Sequence, residues 1–285
     1  MSITVNTNMQ ALKIQDNLTK ATDSMNTAME RMSSGSKINS ASDDAAGLAV
    51  STKLSTTLSS SKVASDNVSI GNDLLSTAEG NMDVILKNLQ RVRDLTEQAS
   101  NGTYSTSDLA AIGAEVDARL KEVDSLAAGT TFNGIKLFND ATAGTSGITL
   151  QIGTASSDSL VLSSTIFGSV GEAAALTGIT SATSGITSGN NALAASFLTA
   201  IDTQLDNITK RVTSIGAAQN QLEAVSDGLT VQQTNLTAAR STIKDADVAQ
   251  ESAAYVQNQI LQQASSSLLV QANSAPQIAL TLIKG

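Results

Sequence analysis

Residues 32–50 read MSSGSKINSASDDAAGLAV, and the adjacent acids Asp43 and Asp44 admit two readings, a catalytic carboxylate pair or the start of a helix. Gly35 is suited to ending one helix, and Ser40 or Ser42 to capping the next. Asp43 and Asp44 then fall in the first turn, where a carboxylate meets the positive end of the helix dipole, an effect worth about 0.3–1 kcal/mol each. Neighbours at i and i+1 diverge by about 100° around a helix, so the two carboxylates do not converge on one substrate atom. The dyad reading fails on geometry. Ala45, Ala46, Gly47 and Ala49 follow at once, and residues this small let another backbone approach closely, as a tight subunit contact requires.

Composition narrows the chemistry further. The 285 residues contain no His and no Cys, which removes imidazole acid/base catalysis, thiolate nucleophiles, Cys/His zinc sites and disulfides. Aromatic residues amount to 2%, well short of what lines a small-molecule pocket. The chain therefore reads as a non-enzyme, with no catalytic residue, cofactor or metal. A formal net charge of −9 argues against nucleic acid, whose phosphates require clustered Lys and Arg. The start, MSITVNTNMQALKIQDN, lacks the cationic opening and continuous apolar run of a secretory leader. Residues 252–283 hold no charged side chain, yet eight amides between Gln257 and Gln277 argue against a lipid-facing helix, since each would need a partner in hydrocarbon. No membrane partner is expected.

Apolar periodicity carries the fold. Ala11, Ile14, Leu18, Ala21, Met25, Ala28 and Met32 alternate spacings of three and four, an unbroken heptad seam. A second seam reads Leu75, Ala78, Met82, Ile85, Leu89 and Val92, and a shorter helix shows Leu109, Ile112, Val116, Leu120 and Val123 on one face. The longest run passes from Leu198 through Ile201, Leu205, Ile208, Val212 and Ile215 to Gln219, Leu222, Ser226, Leu229, Gln233 and Leu236. Residues 254–282 return a looser stripe of Ala254, Leu261, Ala264, Leu268, Ala275, Ile278 and Leu282, with the single proline, Pro276, inside it. Ordinary helix packing accounts for each stripe. The two end segments are each too narrow to stand alone, and are expected to pair with each other.

The texture changes between Leu137 and Thr209, where there is no Lys or Arg. GITLQIG (147–153) and SLVLSS (159–164) alternate apolar and polar residues on either side of TASSD, which predicts a β-hairpin. Asn133 and Gly134 in FNGIKLF form a further turn, and the stretch after Gly168 reads as loop. The expected fold is mainly α, with long heptad helices, paired N- and C-terminal helices and a small β-hairpin region. Residues 1–42 with 244–285 form a terminal helical layer, 43–167 with 193–243 a helical bundle carrying the hairpin, and 168–192 a short variable surface loop.

Three long motifs resemble one family, in order along the chain. ERMSSGSKINSASDDAAGLAVS (30–51) looks like the signature near the N-terminus of bacterial flagellin. Residues 89–138, from LQRVRDL to FNGIKLF, continue the likeness, and 238–285, with ILQQA and Gln-Ala-Asn ahead of the proline, are similar to the flagellin C-terminus. Larger flagellins carry outer domains in the middle, of which this chain has almost none. The resemblance implies a structural subunit that is exported unfolded without a cleaved signal and polymerises into the hollow filament used for swimming. The implied partners are copies of itself, the flagellar cap, the hook-junction proteins, an export chaperone and the export apparatus. The implied location is the extracellular filament. The terminal helices resemble those that line the inner tube, the middle helices those of the outer tube. Leu18, Met25, Met32, Asp43, Asp44, Ala45, Ala46, Gly47, Leu261, Leu268 and Ile278 are then candidate assembly and packing residues.

A hook–filament junction protein shares the terminal helices and the export route, but usually places a proline just before the acid pair, where Ala41 and Ser42 stand here. An unrelated secreted coiled-coil adhesin would explain the heptads, without the ordered motifs at both ends. The zinc-protease insert of some flagellins needs histidines that this chain lacks. LQRVRDL resembles the flagellin epitope sensed by a Toll-like receptor of animal hosts, which makes Leu89, Gln90, Arg91, Arg93 and Leu95, with Glu115 on the following helix, candidate receptor contacts. Leu89 lies on the seam, whereas Gln90, Arg91 and Leu95 lie off it. Asp94 stands where a longer Glu is common.

Overall fold

The computed structural model describes residues 7–138, 147–167, 186 and 191–284. The helices are α1 (Met9–Ser34), α2 (Ala45–Ala99), α3 (Thr106–Gly129), α4 (Ser164–Phe167), α5 (Asn191–Lys244) and α6 (Val248–Lys284). The strands are β1 (Thr131–Phe132), β2 (Ile135–Lys136), β3 (Ile148–Gln151) and β4 (Ser159–Leu162), in two separate two-stranded antiparallel sheets. The mainly α fold read from periodicity is the observed one. Two compact units divide the chain, residues 1–58 with 234–285 and residues 59–233. The loop expected at 168–192 lies, apart from Ile186 and the first residues of α5, outside the described residues.

In the unit of residues 59–233 the heptad seams turn inward. Leu75, Ala78, Met82, Ile85, Leu89 and Val92 of α2 are buried, as are Leu109, Val116, Leu120 and Val123 of α3 and Ile201, Ile208, Ile215, Leu222 and Leu229 of α5. Two polar positions within the α5 seam, Gln219 and Gln233, make hydrogen bonds across to α2. Gln219 Nε2 donates to Glu79 Oε2 at 2.9 Å, and Gln233 Nε2 to the backbone oxygen of the fully buried Ser61 at 3.1 Å. Pairing of this kind lets a half-buried amide sit within an apolar seam. These pairs also fix how α5 runs along α2.

Helix α2 is flanked on two sides. Arg91 Nε lies 3.2 Å from Glu115 Oε1 of α3, and Arg93 Nε lies 2.7 Å from Asp202 Oδ1 of α5. A helix with two neighbours buries a wider arc than an a/d stripe, so Asn88, Leu95, Thr96 and Ala99 are buried along with the seam. Leu95, though off the a/d seam, is therefore only 2% exposed. Thr96, also buried, donates its hydroxyl to its own helix at Val92 O, 2.7 Å away.

The hairpins close this core. Asn133 and Gly134 both take positive φ, 49° and 79°, the conformation of the two-residue turn whose twist matches paired strands. Strands β3 and β4 pair Ile148 with Leu162 and Gln151 with Ser159. Asn67 Nδ2 of α2 donates to Gln151 O at 3.0 Å. Leu150 lies over Gly71, where a Cβ would come within 2.5 Å of its side chain, so a larger residue there would make the Leu150 side chain shift. Leu137, Phe138, Phe167, Ile186 and Phe197 complete the apolar cluster.

Candidate assembly surface

In the unit of residues 1–58 with 234–285, α1 and α6 pack against each other. Asn8 caps α1 by accepting from Ala11 N at 3.1 Å, and Gly35 at φ 67° ends it in the left-handed conformation. The α1 seam faces α6, with Ala21 and Ala28 buried and Ala11, Ile14, Leu18, Met25 and Met32 half-buried. Three cross-helix contacts set an antiparallel register: Asn8 Nδ2 to Ala272 O at 2.8 Å, Gln262 Nε2 to Thr22 Oγ1 at 3.2 Å, and Ser252 Oγ to Met32 Sδ at 3.2 Å. Arg31, in the last turn of α1, pairs with Glu251, in the first turn of α6, at 3.3 Å. Each charge also meets the favourable end of its helix dipole.

The face that α6 turns toward α1 is not its apolar stripe. Glu251, Tyr255, Asn258, Gln262, Ser265, Leu269 and Ala272 are half-covered, and they too alternate spacings of four and three. They form a second heptad seam that is mostly polar. Outside this seam α6 carries Val256 (51% exposed) and Ile260 (60%) on its far side, and Leu261 (47%), Leu268 (54%) and Val270 (71%) on its flanks. Leu261 and Leu268 thus stay about half exposed beside the seam that meets α1, and the side chain of Ile278 lies outside the described residues. A shallow apolar hollow lies outside the seam, lined by Ser252, Ala253, Val256, Gln257, Ile260 and Leu261. These large aliphatic side chains are exposed in a segment free of charge from 252 to 283.

The turns at the ends of these helices are joined. Lys37 N donates to Lys244 O at 2.6 Å, and Ala246 N to Gly35 O at 3.0 Å. Between α1 and α2 the acid pair takes two distinct roles. Asp44 is the N-cap of α2, its Oδ1 accepting from Gly47 N at 2.9 Å. Asp43 precedes the helix and ties the loop, its Oδ2 accepting from Ser40 N at 2.8 Å and Asn39 N at 3.0 Å. The expected cap at Ser40 or Ser42 is therefore replaced by Asp44, and neither acid lies inside the first turn. The two serine hydroxyls lie 2.6 Å from each other instead. Ala45 and Ala46 are exposed. A Cβ at Gly47 would collide with the Asp44 carboxylate and the buried Ile38, so this glycine makes room for its own chain.

Two of the carboxylates at turns, Asp43 and Asp108, titrate low. The Ser40 and Asn39 N–H groups hold Asp43 below the usual carboxylate range, and the Ser105 hydroxyl and N–H do the same for Asp108 in the capping box of α3. In each case the unfolded chain binds the proton first as pH falls. The stabilisation is complete above the unfolded value of about 3.9 and is lost as pH drops through the folded value. Burial raises Asp124, which opposes the trend at one site. With no His or Cys in the chain, the thermal midpoint should stay level between about pH 5 and pH 8 and fall below about pH 4. A shift of several degrees within the neutral window would contradict this.

The candidate receptor residues divide by burial. Gln90 and Arg91 are exposed, Arg93 and Glu115 are half-exposed, and Leu89 and Leu95 are in the core. Among the described residues, no group of three acidic, His or Cys side chains is arranged to hold a metal, and no helix is long and apolar enough to cross a membrane.

A family model for the bacterial flagellin N-terminal helical region matches residues 5–143, and one for the bacterial flagellin C-terminal helical region matches residues 198–283. A flagellin of Listeria monocytogenes is 35% identical over 287 residues, covering 98% of this chain and 99% of its own length. A flagellin of Halalkalibacterium halodurans is 37% identical over 280 residues with the same coverage. Among solved structures, FlgL of Bacillus cereus aligns with a TM-score of 0.52 at 21% identity, over 66% of this chain and 99% of that one, a likeness of fold. With both ends matched in order and relatives aligned over nearly the whole length, this chain belongs to the bacterial flagellin family.

Proposed function

We propose that this chain is the structural subunit of a bacterial flagellar filament, polymerising with copies of itself outside the cell to form the helical propeller used for swimming. Membership of the flagellin family supports the reading, and the exposure of the large aliphatic side chains of α6 is the observation that carries it. Val256, Ile260, Leu261 and Leu268 gain nothing in a free monomer, but are buried once neighbouring subunits surround them. Residues 1–42 with 244–285 then line the inner tube, and the bundle of 43–167 with 193–243 the outer one. Export as an unfolded chain suits a sequence without Cys, since no disulfide has to form or break on the way. The flagellar cap, hook-junction proteins, an export chaperone and the export apparatus are the further partners. Negative-stain microscopy of the purified chain with short filament seeds tests the reading. Long, uniform, hollow filaments are expected, and seeds that never lengthen would overturn it.

A second role rests on the α2 surface. Gln90 and Arg91 are exposed on α2, Arg91 is held by Glu115 of α3, and these residues form the surface an animal Toll-like receptor would meet. Monomer should stimulate receptor-bearing cells far better than intact filament, and Arg91→Ala monomer should lose that response. An unchanged reporter response to Arg91→Ala would remove this role.

A further inference from the structure

The chain contains two Asn-Gly dipeptides, Asn101-Gly102 and Asn133-Gly134, and the fold treats them differently. We propose that Asn101 is a site of spontaneous covalent modification, deamidation through a succinimide, and that Asn133 is protected from the same reaction by its hairpin. In the reaction the backbone nitrogen of Gly102 attacks the side-chain carbonyl carbon of Asn101. A C–N bond forms, the side-chain nitrogen leaves as ammonia, and water then opens the five-membered ring at either carbonyl to give aspartate or isoaspartate. No oxidant, reductant or enzyme is required. Glycine favours the step because it puts no side chain in the path of its own nitrogen.

Closure requires the backbone at the asparagine to rotate until the next nitrogen lies over the side-chain carbon. At Asn101 little opposes this. The residue lies in the loop between α2 and α3, with both Asn101 and Gly102 exposed, as Asn133 and Gly134 also are. Asn101 N donates to Gln98 O at 3.2 Å, and the backbone is next fixed at the Ser105 cap of α3. At Asn133 the same rotation breaks a hairpin. Thr131 pairs with Lys136, Phe132 with Ile135, and Leu137 N donates to Thr130 O at 3.0 Å, all around a turn locked at positive φ. At a third asparagine, Asn39, the attacking nitrogen is already engaged, because Ser40 N donates to Asp43 Oδ2 at 2.8 Å.

The product has a physical consequence. A carboxylate at 101 stands just beyond the C-terminal end of α2, the negative end of its dipole, where no basic residue lies in the last turn. Isoaspartate further lengthens the backbone of the loop by one methylene. Both changes loosen the last turn of α2.

The full chain, kept folded in warm, mildly alkaline buffer and then digested with trypsin, gives the test. Cleavage yields residues 94–119, containing Asn101, and residues 122–136, containing Asn133. Mass spectrometry should show the first fragment acquiring the acid form about tenfold faster than the second, or more, the ratio set by a barrier difference of about 1.4 kcal/mol. In urea the two rates should approach each other, and Gly102→Ala should slow the first fragment alone. Equal rates in the folded chain, faster conversion of 122–136, no conversion of 94–119, or a Gly102→Ala chain that converts as fast as before would each overturn the proposal.

Discussion

Seed elongation stops when Ile260 and Leu268 are both replaced by Lys, while the helical signal and its melting transition are retained. Both side chains are more than half exposed in the single chain, so the subunit loses little when they become charged. In a filament, burying a charge without a partner costs several kcal/mol. The lost apolar burial adds to it, since about 25 cal/mol per Å² over a few hundred Å² amounts to several kcal/mol at every addition step. Light scattering from seeds gives the rate, with circular dichroism as the folding control. A chain ending at Gln250 should fail in the same way, because it keeps the seams of the 59–233 unit but has no α6. Normal growth by either chain would show that the α6 face is not an assembly surface, and the mechanism would have to be abandoned.

Phe138→Ala should produce the largest loss of stability in the subunit itself. The ring is fully buried with Leu137, Phe167 and Phe197, and follows directly on the β1–β2 hairpin. Removing a large buried ring costs about 3–5 kcal/mol through lost transfer energy and an unfilled cavity. For a unit of this size, that lowers the melting midpoint by roughly ten degrees or more. The corresponding truncation of Val161, which is 53% exposed on β4, should move it by less than about 0.5 kcal/mol. If the two variants melt alike, the aromatic cluster does not hold this unit together.

The seams of α1, α2, α3 and α5 are legible in the sequence because each is covered by a neighbour in the same chain, and apolar side chains recurring every three or four residues report such a face directly. The hairpin of β3 and β4 is equally legible, because a half-buried sheet imposes alternation. Burial of Leu95 is not, since the a/d pattern describes contact with one neighbour and α2 has two. The cap at Asp44 escapes the sequence for a local reason. Ser40, Ser42, Asp43 and Asp44 are all good caps, and only the path of the loop decides which oxygen reaches the Gly47 N–H.

By itself, the sequence determined that this is a helical chain with heptad seams at both ends, and it determined the family, because periodicity and ordered motifs survive without coordinates. Which face of α6 meets α1 was decided by the tertiary structure alone. An apolar stripe records that a surface is meant to be covered and carries no information about what covers it. Here the mostly polar seam of Asn258, Gln262 and Ser265 faces the helix of the same chain. The aliphatic side chains of Val256, Ile260 and Leu268 stay exposed, because hydrogen bonds such as Gln262 to Thr22 satisfy the inner contact and leave the larger apolar area for association between chains.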